Sequence, residues 1–160
     1  MTSLSNYFLC GWAANTYGFI VLLNCGVFGA MEDYLRWMEQ ADEDYKTAKL
    51  LINQGVYYAS VFFSHQAIEK ALESILLRHG KDLGKIHSLP ELADMLELET
   101  GINIPENIRS AINEVNPHYV ITRYPDAANG VPARAYNKVK AQEILDKCGV
   151  VLEWSRLNLH

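Results

Sequence analysis

Cysteine is scarce in this 160-residue chain. Cys10, Cys25 and Cys148 stand far apart and form no CxxC pair. Three thiols so spaced make neither a zinc pattern nor a disulfide framework, and they read as reduced thiols of a cytoplasmic protein. A basic excess is also missing. Fourteen Lys and Arg face 19 Asp and Glu, for a formal net charge of -5. Duplex DNA normally needs a broad basic face, so it is not an expected ligand, although a small local basic site remains open. There is no phosphate-cradling glycine loop, no His-Glu-x-x-His and no nucleophile elbow. No metal and no cofactor is expected.

Charge is absent altogether from residues 1–30. Every Asp, Glu, Lys, Arg and His lies from Glu32 onward. A signal peptide usually carries a basic n-region, which this stretch lacks. A membrane-spanning helix needs about 20 consecutive apolar residues. The best run here, Tyr17 to Ala30, is shorter and is broken by Gly18, Asn24, Gly26 and Gly29. The preferred reading takes Met31 as the natural start, with residues 1–30 as an apolar extension, and a membrane role is not expected.

What is present is helical periodicity. Tyr57 to Arg78 contains no proline or glycine. One apolar set runs Val61, His65, Ile68, Leu72, Ile75, and a second runs Ala59, Phe63, Ala67, Ala71. The two sets lie on different sides of a 3.6-residue helix, so it should sit centrally with neighbours all round. Its polar residues His65, Gln66, Glu69 and Lys70 would then need partners. Met31 to Asn53 carries one apolar stripe, from Tyr34 to Ile52, opposite an acidic face. Gly55 closes it before a very short connection. Two shorter helices are predicted from Ser88-Leu-Pro-Glu91 and Asn103-Ile-Pro-Glu106, each starting with a capping residue, a proline in the first turn and a glutamate three residues on as a capping box. A last helix runs from Asn137 to about Leu157. The segment 118–136 reads as the longest irregular stretch, with Tyr119–Thr122 as its most strand-like part. The predicted fold is all-α, an up-and-down bundle of about five helices, three long and two short.

Three constellations could carry chemistry. Arg123-Tyr124-Pro125-Asp126, with Arg134, Tyr136 and Lys138 beyond it, joins a planar guanidinium fork to stacking faces. Alternatively Asp126 caps a turn and Arg123 pairs with an acid of the first helix. The cluster His65, Gln66, Glu69, Lys70 could face a ligand. Alternatively Gln66 bonds a loop backbone, and Glu69 or Lys70 pairs with Arg123 or Asp126. His87, like His79 and His118, could serve as an acid–base group, but a helix flank is the simpler role.

With those residues in view, Met31 to about Leu157 resembles the HEPN family (higher eukaryotes and prokaryotes nucleotide-binding domain). The resemblance rests on Gly55 followed by Tyr57-Tyr58, on Gln66-Ala67-x-Glu69-Lys70-Ala71-Leu72, on His87-Ser88-Leu89, and on Arg123 to Asp126, in that order. It implies a helical homodimer, often paired with a minimal nucleotidyltransferase in a two-component, toxin–antitoxin-like system, and a nucleotide or RNA ligand. Expected ligand contacts are Arg123, Tyr124, Asp126, Lys70, Arg134 and Tyr136. Some branches of the family are metal-independent ribonucleases that use an arginine followed four to six residues later by a histidine. Here Arg123 is followed by Tyr, Pro, Asp, Ala, Ala and Asn. A binding role with no catalytic residue is therefore preferred. A ribonuclease using Arg123 with His87 or His118 is the alternative, and a pure interaction adaptor is a third reading.

The reading of Met31 as the start predicts that protein made from its native gene begins there. Intact-mass spectrometry checks this, and a chain retaining Met1 contradicts it.

Overall fold

The computed structural model describes residues 25–81 and 86–159, with side chains from residue 33 onward. The uncharged stretch before residue 25 lies outside the described residues. The chain forms α1 (Cys25–Asn53), α2 (Tyr57–Arg78), α3 (Leu89–Thr100), α4 (Glu106–Val115), a single turn α5 (His118–Ile121), a 3₁₀ turn at Pro132–Arg134, and α6 (Lys138–Leu157). The described residues contain no strand. This is the predicted all-α bundle, with three long and two shorter helices. Among the described residues no helix is long and apolar enough to cross a membrane.

α2 is the hub and packs against α1, α6, α3 and α5. Its residues Ala71 to Leu76 are buried one after another. Six consecutive buried positions exceed a full turn, so this half of the helix has protein on every side. α1 contributes Met38, Ala41, Ala48 and Ile52, and α6 contributes Ala141, Ile144, Leu145, Cys148, Val151 and Leu152. Burial pushes the Cys148 thiol up from its ordinary pKa, which keeps it protonated and unreactive.

The turn between α1 and α2 is set by Gly55 at φ +76°. The Val56 N–H donates to Leu51 O at 2.9 Å and the Gly55 N–H to Ile52 O at 3.0 Å. These bonds satisfy the last carbonyls of α1 and reverse the chain, so α1 and α2 lie antiparallel.

Three local expectations are corrected. The strand-like stretch Tyr119–Thr122 folds into α5 and the turn after it. Tyr119 already accepts helical geometry from the turn that follows α4, its N–H donating to Asn116 O at 3.1 Å. Ser88 sits at the α3 N-cap position but makes no side-chain cap bond. The Leu89 N–H donates instead to Asn116 Oδ1 at 3.0 Å. The side chain ending α4 thus caps α3, which draws these two helix ends together. α4 likewise starts without a side-chain cap, behind Pro105.

Leu72 is fully buried in the hub. Leu72→Ala should lower unfolding stability by about 2–5 kcal/mol. Urea denaturation measures this, and a loss below about 1 kcal/mol would contradict the central placement of α2.

Candidate functional site

The site grows from polar residues that α2 carries into the core. Glu69 is buried, with 6% of its surface exposed. A buried carboxylate must collect donors. Gln66 Nε2 donates to Glu69 Oε2 at 2.9 Å. From the loop before α3, the Nδ1 of His87 meets Glu69 Oε1 at 2.8 Å. A carboxylate oxygen accepts from an imidazole N–H, so this contact suits the tautomer with its proton on Nδ1. The His87 side chain remains 59% exposed.

His65 lies one turn before Glu69 and is 1% exposed. Its Nδ1 is 3.6 Å from Glu69 Oε2, too long for a hydrogen bond. Neither ring nitrogen has a hydrogen-bond partner. Burial, reinforced by the charge of Arg123, drives its pKa down to about 3, so the imidazole is neutral and forms no ion pair. Glu73, one turn beyond Glu69, is pushed up to about 7 by burial and by the Glu69 carboxylate.

Tyr119 of α5 covers both histidines. Its ring lies 5.2 Å from that of His65, tilted by 47°. It stacks on His87 at 5.7 Å and 13°. Arg123, one turn further on, places its guanidinium 4.0 Å from the Tyr119 centroid and 4.7 Å from the Phe62 centroid. The result is a layered face of Arg123, Tyr119 and His87, oriented from below by Glu69. The two rings on Arg123 attract its charge without consuming its donors.

The predicted residues are distributed unevenly over this face. Arg123 is at its centre. Tyr124 follows on the surface, 53% exposed. Asp126 is exposed and its backbone carbonyl accepts from the Asn129 N–H in the ensuing turn. Arg134 is exposed on the 3₁₀ turn. Lys70 turns toward α1, its Nζ 2.8 Å from Asp44 Oδ2. Tyr136 is buried and bonds His118 Nδ1 at 2.8 Å. Burial raises the Tyr136 pKa to about 12, so the phenol stays protonated. The internal pairings expected for the central helix are replaced. Gln66 bonds Glu69 rather than a loop backbone, Glu69 takes His87, Lys70 takes Asp44, and Arg123 is held by rings rather than by an acid of the first helix. The tie between α2 and the 118–136 segment survives, with aromatic rather than ionic chemistry.

Tyr119, Asp44 and Asn116 were not singled out from the sequence. Tyr119 stands four residues before Arg123, the spacing that stacks side chains on one helical face. That signal is lost once the segment is read as extended. Asp44 falls on the apolar stripe of α1, where an acid demands a partner. His87 carries no local signal, because its partner lies 18 residues upstream.

The fold has counterparts among known proteins. A model of the HEPN domain matches residues 34–158. This chain belongs to the HEPN family. A Methanocaldococcus jannaschii relative described as "Putative toxin MJ1304" is 29% identical over 125 residues, covering 73% of this chain and 82% of that protein. The crystal structure of TT1696 from Thermus thermophilus superposes with a TM-score of 0.72 at 30% identity, over 78% of this HEPN chain and 97% of that one. The crystal structure of ST0689, an archaeal HEPN homologue, gives 0.67 at 26% identity, over 79% and 98%.

The buried neutral imidazole makes stability acid-sensitive. The folded pKa of His65 lies below its unfolded value, so its contribution is complete above about pH 6.5 and is lost as pH falls toward 3. At pH 5 the loss is about 2 kcal/mol. Glu73 acts oppositely, contributing most below about pH 4.5 and losing that as pH rises toward 7. His65→Leu removes no hydrogen bond and should leave stability at pH 7.5 within about 1 kcal/mol. It should also retain about 2 kcal/mol more than wild type on moving to pH 5. Urea titrations at both pH values test this, and parallel losses in the two proteins would contradict it.

Proposed function

We propose that this protein is a helical homodimer of toxin type that binds a nucleotide or single-stranded RNA through the Arg123 face, with a minimal nucleotidyltransferase as partner. The observation that carries the reading is the state of Arg123. Among the described residues, Arg36, Arg109 and Arg156 are engaged with carboxylates, Arg78 donates to the Leu159 carbonyl, and Arg134 is exposed on the 3₁₀ turn. Arg123 rests on two rings and has no acidic partner. A guanidinium so held keeps its fork for an incoming phosphate, while its aromatic bed limits the freedom it loses on binding. In an acidic chain this is a local cationic site rather than a basic surface.

Arg123 contacts phosphate. Tyr124 stacks on a base or fixes the loop. Asp126 supplies an acceptor at the loop edge, and Arg134 adds positive charge. Lys70 contributes to the local field while anchoring α1 to α2. Tyr136 supports the loop from beneath through His118. The toxin description of the archaeal relative supports the two-component setting.

A second reading is favoured by one observation, the alignment of His87 by Glu69 at 2.8 Å. An imidazole oriented by a carboxylate is suited to proton transfer. In a metal-independent ribonuclease, His87 would take the 2′-hydroxyl proton as the 2′-oxygen bonds to phosphorus and the P–O5′ bond breaks, the leaving 5′-oxygen would take a proton from water, and Arg123 would stabilise charge on the phosphorus oxygens. His118, engaged with Tyr136, is the weaker candidate for that role.

Arg123→Ala should weaken binding of a single-stranded RNA oligonucleotide by about 10- to 100-fold, the loss expected for a charged hydrogen-bonding group. Fluorescence anisotropy measures this. Equal affinities, or no binding by wild type, contradict the binding reading. Expression of the chain alone in a bacterial host separates the second reading. Growth arrest relieved by both Arg123→Ala and His87→Ala favours the ribonuclease, and normal growth counts against it.

A further inference from the structure

Beside the layered face lies a cavity of about 280 Å³ lined by His87, Ser88, Asn116, Pro117, Tyr119 and Val120. Pockets for drug-sized ligands span roughly 300–1,000 Å³. This one suits a single ring system rather than a whole nucleotide. It forms where the start of α3 meets the junction of α4 and α5, the place closed by the bond from the Leu89 N–H to Asn116 Oδ1. That bond occupies one acceptor position on the Asn116 amide oxygen and leaves its NH₂ group to donate. The Ser88 hydroxyl takes no part in capping α3. Pro117 and Val120 supply apolar walls.

His87 is the decisive element. One face of its ring stacks on Tyr119, and Glu69 fixes its plane through Nδ1. The side chain is 59% exposed and lines the cavity, so part of the ring is open to it. The Arg123 guanidinium sits over the Tyr119 ring, and the Tyr119 ring stacks on the His87 imidazole. A flat group entering the cavity would meet the exposed part of the His87 ring.

We propose that this cavity is a nucleobase subsite of the RNA-binding face. One base of a single strand stacks on the exposed part of the His87 ring and presents an acceptor, such as a pyrimidine carbonyl, to the Asn116 amide. The inference rests on the reading of Arg123 as a phosphate contact and adds to it where a base is held. Glu69 acts as a positioning residue, setting the plane of the ring that the base meets.

The test compares a short oligouridylate with a ribose–phosphate chain of equal length made abasic throughout. Base stacking on a protein ring is worth about tenfold in affinity or somewhat more. Wild type should bind the abasic chain about tenfold more weakly. His87→Ala should bind both chains alike, and His87→Phe, which restores a flat ring without the Glu69 bond, should recover the base-dependent gain. Asn116→Ala perturbs the cap of α3, so free uridine added to the folded wild type provides an independent check, with ring protons of His87 and Tyr119 shifting in NMR spectra. If wild type binds both chains equally while Arg123→Ala still weakens binding, the subsite is wrong and the phosphate reading stands. If neither chain binds, both are overturned. A His87→Ala variant that keeps the full preference for the base-bearing strand also overturns the subsite.

Discussion

A carboxylate carried into the core by the central helix governs the arrangement of this face. Glu69 sits on a helix that its own sequence forces to be buried nearly all round, so its charge must find donors. One donor, Gln66, comes from the same helix. The other, His87, comes from the loop before α3 and stays exposed to solvent. Satisfying a buried charge therefore fixes a surface imidazole. Tyr119 then stacks on that imidazole and Arg123 on Tyr119, which makes the order of the face a consequence of burial in the hub.

The rest of the bundle is arranged to keep α2 in place. Lys70 ties it to α1 through Asp44, which also accepts from Gln40 Nε2 at 2.9 Å. Arg109 of α4 bridges to Asp94 and Glu97 of α3. Those bridges hold the helix pair whose ends meet at Asn116 beside His87. Two sets of polar contacts among the described residues bear on the hub. One locks helices together, and the other, centred on Glu69, leads outward to the Arg123 face.

Much of the fold was legible in the residues. The double apolar pattern of Tyr57–Arg78 could only be satisfied at the centre, and the Gly55 turn could only return the chain antiparallel. The short element His118–Ile121 was not legible, because β-branched and aromatic residues such as Tyr119, Val120 and Ile121 favour strands locally. Here the turn that follows α4 carries them into a helical turn. For the candidate site, Arg123 stood out by its chemistry and its neighbours did not. The partners of Glu69 and Arg123 come from other elements, and no local spacing encodes contacts such as His87 to Glu69. Ser88 illustrates the same limit. A good capping residue was in place, but Asn116, distant in sequence, supplied the cap.

Membership of the HEPN family, the ring-held Arg123 and the aligned His87 converge on one face of the bundle as the place where RNA is bound in the proposed reading. Chemical-shift mapping of the isotope-labelled protein with a short single-stranded RNA tests this most directly. The predicted result is that the largest perturbations fall on Arg123, Tyr119 and the His87 ring, with the α1 surface around Lys46 and Leu50 unchanged. Perturbations centred on α1 or α6, or none at saturating RNA, would contradict it.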